Sequence, residues 1–434
     1  MTIGGTASIN RGQTITTGAK RYALTLLVIV YTFNFIDRYI LAILLPAIKA
    51  EFAVDDRILG FLAGSAFALF YATLGIPIAL IADRSNRRNL IALALVIWSG
   101  MTALSGIATN IMHLILTRIG VGIGEAGCSP PAHSMIADYF PPEQRSTAMG
   151  IYTLGISFGI MIAYLAGGWV VENIGWREAF FIVGIPGLIL ALFVRFTIIE
   201  PQRGISENIT DTGDRPSIIT VTRFLAGRKS FLHMSIGAGL ASFLGYAIIS
   251  FYPSFLVRSF SMSLSDIGIY LGLILGIAGG FGYAGGGYIA DKIGQRKIRY
   301  LFQSIVAAML LVWILYFPIF LSNNEKWSLS FFAILIIFSN VYLPTTFAQT
   351  QSLVPLRMRA VASALILFII NSIGLGFGPL LTGILSDYLA TVYSNESMRY
   401  SLLIIGAVIG PWAAFHYFIA SKYIEHDLAR VYEA

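Results

Sequence analysis

Asp37, Arg38, Arg118 and Glu125 are the residues whose types and positions most plainly allow chemistry, because each lies inside a long apolar stretch. The first two fall in a run at about 22 to 48 and the others in a run at about 111 to 138. At the centre of a bilayer such a side chain costs at least about 2.5 to 3.5 kcal/mol, so it faces the protein interior and is functional by default. Arg118 and Glu125 are seven positions apart, on one face of a helix but two turns and roughly 10 Å apart. The four charges sum to zero. Carboxylates load and release protons, and a guanidinium holds the deprotonated form by a charge-assisted bond. Asp37 and Glu125 are therefore expected to carry protons, with Arg118 holding the carboxylate and Arg38 orienting its helix or meeting an anionic group. The competing reading is an ion-pair network that only fixes helix packing, which is a poor stability device.

The elements that position these residues are membrane helices. Of 434 residues 56% are apolar and 12% charged, half the charge of a soluble globule, and the mean hydropathy is +0.76. Runs long enough to span a bilayer occur at about 22–48, 58–82, 90–108, 111–138, 147–171 and 178–199, and again at about 231–256, 267–290, 300–321, 328–353, 360–386 and 400–421. The first exceeds a signal-peptide core and is read as a retained span. With an even number of spans both termini share a side. That side carries 21 Lys and Arg, the opposite loops six, so both termini are expected to be cytoplasmic. This asymmetry accounts for the net charge of +7 and removes the case for a nucleic-acid partner, which needs one clustered basic face. The single Cys128 excludes a disulfide framework or a CxxC site.

Residues 200–229 carry nine charges and are read as a linker between a first half at 22–199 and a second at 230–421, with tails at 1–21 and 422–434. Ile78 to Arg88 is echoed by Gly287 to Lys297, with Asp83 and Asp291 separated by 208 positions. Two six-helix halves related by such a repeat form a transporter architecture with its site near the midplane.

Gly287-Tyr-Ile-Ala-Asp291-Lys292-Ile-Gly294-Gln-Arg296-Lys297 resembles the loop motif of the major facilitator superfamily in full. In the first copy Ala79 and Asn86 replace its two glycines, while Asp83, Arg84, Arg87 and Arg88 remain. Arg118-Ile-Gly120-Val-Gly122 and the glycines 155, 159, 167 and 168 resemble the motifs of its fourth and fifth helices. Within that superfamily, Asn34-Phe-Ile-Asp37-Arg38-Tyr39, Gly122-Ile-Gly124-Glu125-Ala126 and Asp138-Tyr-Phe140-Pro141-Pro142-Glu-Gln-Arg145-Ser146 resemble the spinster-type lipid transporters. The resemblance implies an all-α membrane protein, with twelve transmembrane helices in two pseudo-symmetric halves. It also implies a lysophospholipid or sphingosine-1-phosphate type of substrate, with protons implicated in some members.

Asp83 and Asp291 are expected to cap neighbouring helix N-termini and to pair with basic residues such as Arg145. Together with Arg84, Arg87, Lys292 and Arg296 they would bias the exchange between outward-open and inward-open states; the alternative is that the basic residues only set topology. Expected substrate contacts are Arg38, Asn34, Tyr31, Phe33, Tyr246, Tyr342 and Asn371, an aromatic set with few polar groups that suits an acyl chain. Where the repeat would place second-half partners for the four charges stand Gly245, Tyr246 and Tyr342, so ion coupling is expected in the first half.

Other motifs fail in context. Gly122-Ile-Gly124-Glu-Ala-Gly127 matches GxGxxG inside an apolar helix with no strand before it, and Cys128 with His133 is a weak nucleophile and base pair beside a helix-bending Pro130-Pro131. No metal-ligand spacing is present. A channel would need a ring of pore-lining polar residues, and a primary pump an ATP-binding domain that thirty linker residues cannot form. The expectation is a non-enzymatic, monomeric, cofactor-free secondary transporter of a bacterial inner membrane. Its partners would be membrane lipids, protons and a small amphipathic substrate, or else organic anions or hydrophobic drugs. One proton entering down 100 mV supplies about 2.3 kcal/mol, roughly 50-fold in substrate ratio.

Overall fold

The computed structural model describes residues 15–82, 85–202, 217–282, 297–355 and 358–430; Asp83, Arg84, Asp291, Lys292 and Arg296 lie outside them. Among the described residues eleven stretches are long and apolar enough to cross a membrane. The last, Val361–Ala429, holds two crossings, divided by a short turn at Ser394–Glu396 where Ser394 takes φ 48°. The resulting twelve helices are α1 (Thr17–Phe52), α2 (56–82), α3 (Arg87–Ser105), α4 (Ile111–Tyr139), α5 (Pro142–Asn173), α6 (Trp176–Thr197), α7 (Lys229–Phe260), α8 (Leu264–Gly282), α9 (Ile298–Leu321), α10 (Glu325–Ser352), α11 (359–393) and α12 (Ser397–Ala429).

Local chemistry sets their ends. Thr16, Asn86 and Asn110 accept from the first-turn amides of α1, α3 and α4, which is why α1 starts before the apolar run expected at 22. The turn from α5 to α6 passes through Gly175 at φ 143°, a conformation that favours glycine. The expected linker contains a helix, Ile218–Ala226, whose Val221 and Leu225 are buried in the second-half core. Among the described residues three helices carry π-helical segments: Phe61–Ser65 in α2, Ile274–Ala278 in α8 and Ser372–Phe377 in α11.

The apolar core forks. Toward the end of the bundle away from the termini, the far end, one cluster draws on both halves, from Phe35 to Ile48 of α1 and from Phe243 to Leu256 of α7. Toward the terminal end there are two clusters. One belongs to the first half except for Leu375, and the other lies wholly in the second. Glycines allow the far end to close: α5 meets α8 at Gly168 and Gly268, where a Cβ on Gly268 would stand 3.0 Å from the Gly168 Cα, and α2 meets α11 at Gly60 against Pro379.

Candidate functional site

α4 is interrupted at its middle. Its first segment ends at Glu125, and a new one begins at Ser129, with Pro130 and Pro131 in a first turn where no amide donor is needed. Glu125 therefore sits at a joint in the helix, 1% exposed. Gly124 beside it packs directly on α3: a Cβ there would stand 2.6 Å from the Trp98 N and 2.8 Å from its Cβ. Gly124→Ala is accordingly expected to cost about 1–3 kcal/mol by overpacking and to displace Glu125. The check is a melt in detergent beside Gly150→Ala, whose added methyl meets nothing within 4 Å; equal melting temperatures would refute it.

Arg38 of α1 reaches across to Glu125, donating from Nη2 at 2.6 Å and Nε at 3.1 Å to the same Oε2. Three rings surround its guanidinium, with centroids at 5.1 Å (Phe35), 5.0 Å (Phe67) and 4.7 Å (Tyr71). Each such contact adds attraction where water is excluded. Arg118 does not hold a carboxylate as expected. Its Nη1 donates to the backbone carbonyl of Asp37 at 3.1 Å, and its guanidinium lies over Phe67 at 5.3 Å. The correction has a geometric cause: two helical turns separate Arg118 from Glu125, whereas Arg38 comes level with Glu125 from another helix.

Asp37 is fully buried, and neither carboxylate oxygen has a hydrogen-bond partner. Thr102 Oγ1 and Trp98 Nε1 of α3 are the polar groups nearest its carboxylate, and neither has another partner. Asn34 stands likewise beside Glu125, whose Oε1 is unpartnered. Between α1, α3 and α4 the first half thus holds one carboxylate in an ion pair and one outside any ion pair.

A cavity with about 20 Å³ of water-accessible volume, room for a water or two, opens beside this cluster. Arg38, Arg118 and Phe67 line it from the first half, and Tyr246, Ser250 and Leu375 from the second. Of the expected substrate contacts, Arg38 and Tyr246 meet here. Tyr31 instead stacks on Tyr152 at 4.2 Å, Phe33 packs on the first-half core, Tyr342 meets Tyr417 edge-on at 6.3 Å, and Asn371 donates to Leu367 O at 2.9 Å within its own helix.

Near the terminal end, Arg87 is fully buried. It bonds to Asp138, to Glu200 Oε1 (2.8 Å), to Ser134 Oγ (2.8 Å) and to the Pro201 carbonyl (2.7 Å), all within residues 134–201. Arg145 donates to the Ala137 carbonyl at 2.9 Å. Sequence reasoning missed the Asp138 and Glu200 partners, although Asp138 opens one of the motifs, and it missed the polar side chains of α3 that face Asp37.

Residues 27–379 match the family profile described as Major Facilitator Superfamily. The chain belongs to that superfamily. This facilitator is 31% identical to an MFS-type efflux pump of Mycolicibacterium smegmatis over 94% of each chain. To the probable L-galactonate transporter of Escherichia coli it is 25% identical over 92% of its own length and 89% of the other's. It also superposes with a TM-score of 0.85 and 31% identity on the crystal structure of a bacterial homologue of the human lysosomal transporter spinster, in an inward-facing and unoccupied conformation, covering 95% of this chain and 99% of that one. The facilitator is therefore a multi-pass membrane transporter of the spinster-like kind, not an enzyme.

Proposed function

We propose that this facilitator couples proton movement to the transport of an amphipathic, lipid-like substrate of lysophospholipid or sphingolipid type, by alternating access. The observation that carries the reading is the unpartnered, fully buried Asp37 beside the Arg38–Glu125 pair. A carboxylate buried this deeply without an ion pair is expensive as an anion, and this supports a proton as its counter-charge. Protonating Asp37 leaves Arg118 as the excess cation of the cluster; protonating Glu125 releases Arg38 toward the cavity. Either event presents a guanidinium to an anionic headgroup, while Phe67, Tyr71 and Tyr246 offer apolar surface to a chain. The spinster-like relationship supports a lipid. The Lys and Arg excess of the terminal end supports a cytoplasmic placement of both termini, and the short loops favour a bacterial inner membrane.

A second reading, a proton-linked carrier of organic anions or hydrophobic drugs, draws on the small size of the cavity beside two arginines and on the efflux and galactonate relatives. The test is the internal pH of proteoliposomes on addition of lysolipids, sphingosine-1-phosphate, galactonate and cationic dyes. Wild type is expected to give a lipid-dependent proton flux, and Asp37→Asn to lose at least about tenfold of it, the usual scale for removing a proton-transfer group. A flux with galactonate or dye alone would establish the second reading. Lipid transport that ignores pH in both proteins would return Asp37 to a packing role.

A further inference from the structure

At the far end a carboxylate of each half meets a helix N-terminus of the other, and the two N-termini, though not the two carboxylates, correspond under the repeat. Asp387, near the end of α11, accepts from the Asp56 amide and the Arg57 amide, both at 2.8 Å, at the N-terminus of α2. Glu172, near the end of α5, accepts from the Ser265 amide at 2.6 Å, at the N-terminus of α8. Arg57 and Ser265 are separated by 208 positions, as are Gly60 and Gly268 and as are Asp83 and Asp291. In each case a carboxylate of one half ends a helix of the other, where unsatisfied amides and the helix dipole favour negative charge.

We propose that Asp387 and Glu172 are two clasps that keep the far gate closed, and that rocking to the opposite state must release both. Several details distinguish a clasp from an ordinary cap. Asp55, the residue placed to cap α2 from within its own half, makes no side-chain cap bond, so that role falls to Asp387, 331 residues away. On α8 the local cap Ser263 serves the Asp266 amide and leaves the Ser265 amide to Glu172. The α2 clasp is also reinforced by a buried charge cluster. Asp56 receives Lys49 Nζ at 2.5 Å, Arg258 Nη1 at 2.6 Å and Nη2 at 2.5 Å, and Ser386 Oγ at 2.7 Å. Arg258 and Ser386 belong to the second half, so this acid too bridges the halves. Glu172 by contrast is exposed and is set against the Ser265 amide and the Ser263 and Ser265 side chains with no cation among them, which makes it the weaker clasp.

Native Cys128 is buried, so in a Cys128→Ser background a thiol introduced by Ala63→Cys reports on the cavity floor beneath the clasps. The experiment reads its rate of reaction with a membrane-impermeant maleimide applied from the side opposite the termini. Asp387→Asn is expected to speed labelling roughly tenfold and Glu172→Gln about threefold, with the double variant fastest, as a shift of a two-state population requires. Asp55→Asn makes the same charge change on an exposed residue of the same helix end and should stay within about twofold. Unchanged rates in both clasp variants would overturn the proposal. If Asp387→Asn does not accumulate in the membrane, Glu172→Gln alone decides, since its exposed position leaves the fold intact: no acceleration there overturns it as well.

Discussion

Replacing Arg38 with methionine is expected to destabilise the first half by about 3–5 kcal/mol, the cost of leaving one member of a buried ion pair alone. For a unit of about two hundred residues that is a fall of roughly 6–20 °C in melting temperature. Glu125 would keep its burial while losing both bonds to its Oε2, and three aromatic faces would lose their cation. The double variant Arg38→Met/Glu125→Gln removes both charges, so much of that stability should return, with a coupling term of about 1–3 kcal/mol between the two sites. Transport should not return. A melt of the four proteins of this cycle, read beside transport in proteoliposomes, separates the packing role of the pair from its part in transport. An Arg38→Met protein that melts with wild type would show that the pair contributes no net stability.

The second large effect is expected far from the cavity. Arg87→Met leaves Asp138 and Glu200 facing each other without the guanidinium between them, and it empties the contacts to Ser134 and the Pro201 carbonyl. Glu200 also accepts from the Arg88 amide at 2.8 Å, so the start of α3 loosens together with the segment that follows α6. The expected cost is again about 3–5 kcal/mol, seen as poor accumulation and a melting temperature lowered by several degrees. Arg87→Lys keeps the charge but not the fork that serves four partners, and should fall between. If Arg87→Lys matches wild type, the fork geometry is dispensable and only the charge counts.

The spans were legible in the sequence because a bilayer demands long apolar runs, and the halves because Asp83 and Asp291 sit in copies of one motif. Asp37 and Glu125 were legible as acids in apolar surroundings. The partner of Glu125 was not. Spacing within α4 ties Arg118 to the same face of the helix, yet only the rotation of α1 about its axis decides that Arg38 arrives first, and that rotation is set by packing among helices distant in sequence. The far-end clasps were hidden for a related reason. Asp56, Arg258 and Asp387 each stand in or beside a short connection, where a charge reads as a topology signal, and nothing local tells which connections meet across 331 residues. Tyr342 and Asn371 were named for their types alone; in the structure Tyr342 meets Tyr417 and Asn371 donates to the Leu367 carbonyl.

The π-helical turns in α2, α8 and α11 bear on how this chain tolerates change in length. A π turn holds one residue more than the α-helix on either side of it needs, so residues 61–65, 274–278 and 372–377 are places where the chain carries slack. Dropping a residue from α3 would turn everything beyond it by about 100° and carry Trp98 and Thr102 off Asp37. Dropping one from the turn at 61–65 lets the excess be absorbed, so Gly60 can stay against Pro379 while Phe67 and Tyr71 stay over Arg38. A one-residue deletion in one of these turns should therefore disturb the helix beyond it less than the same deletion in α3.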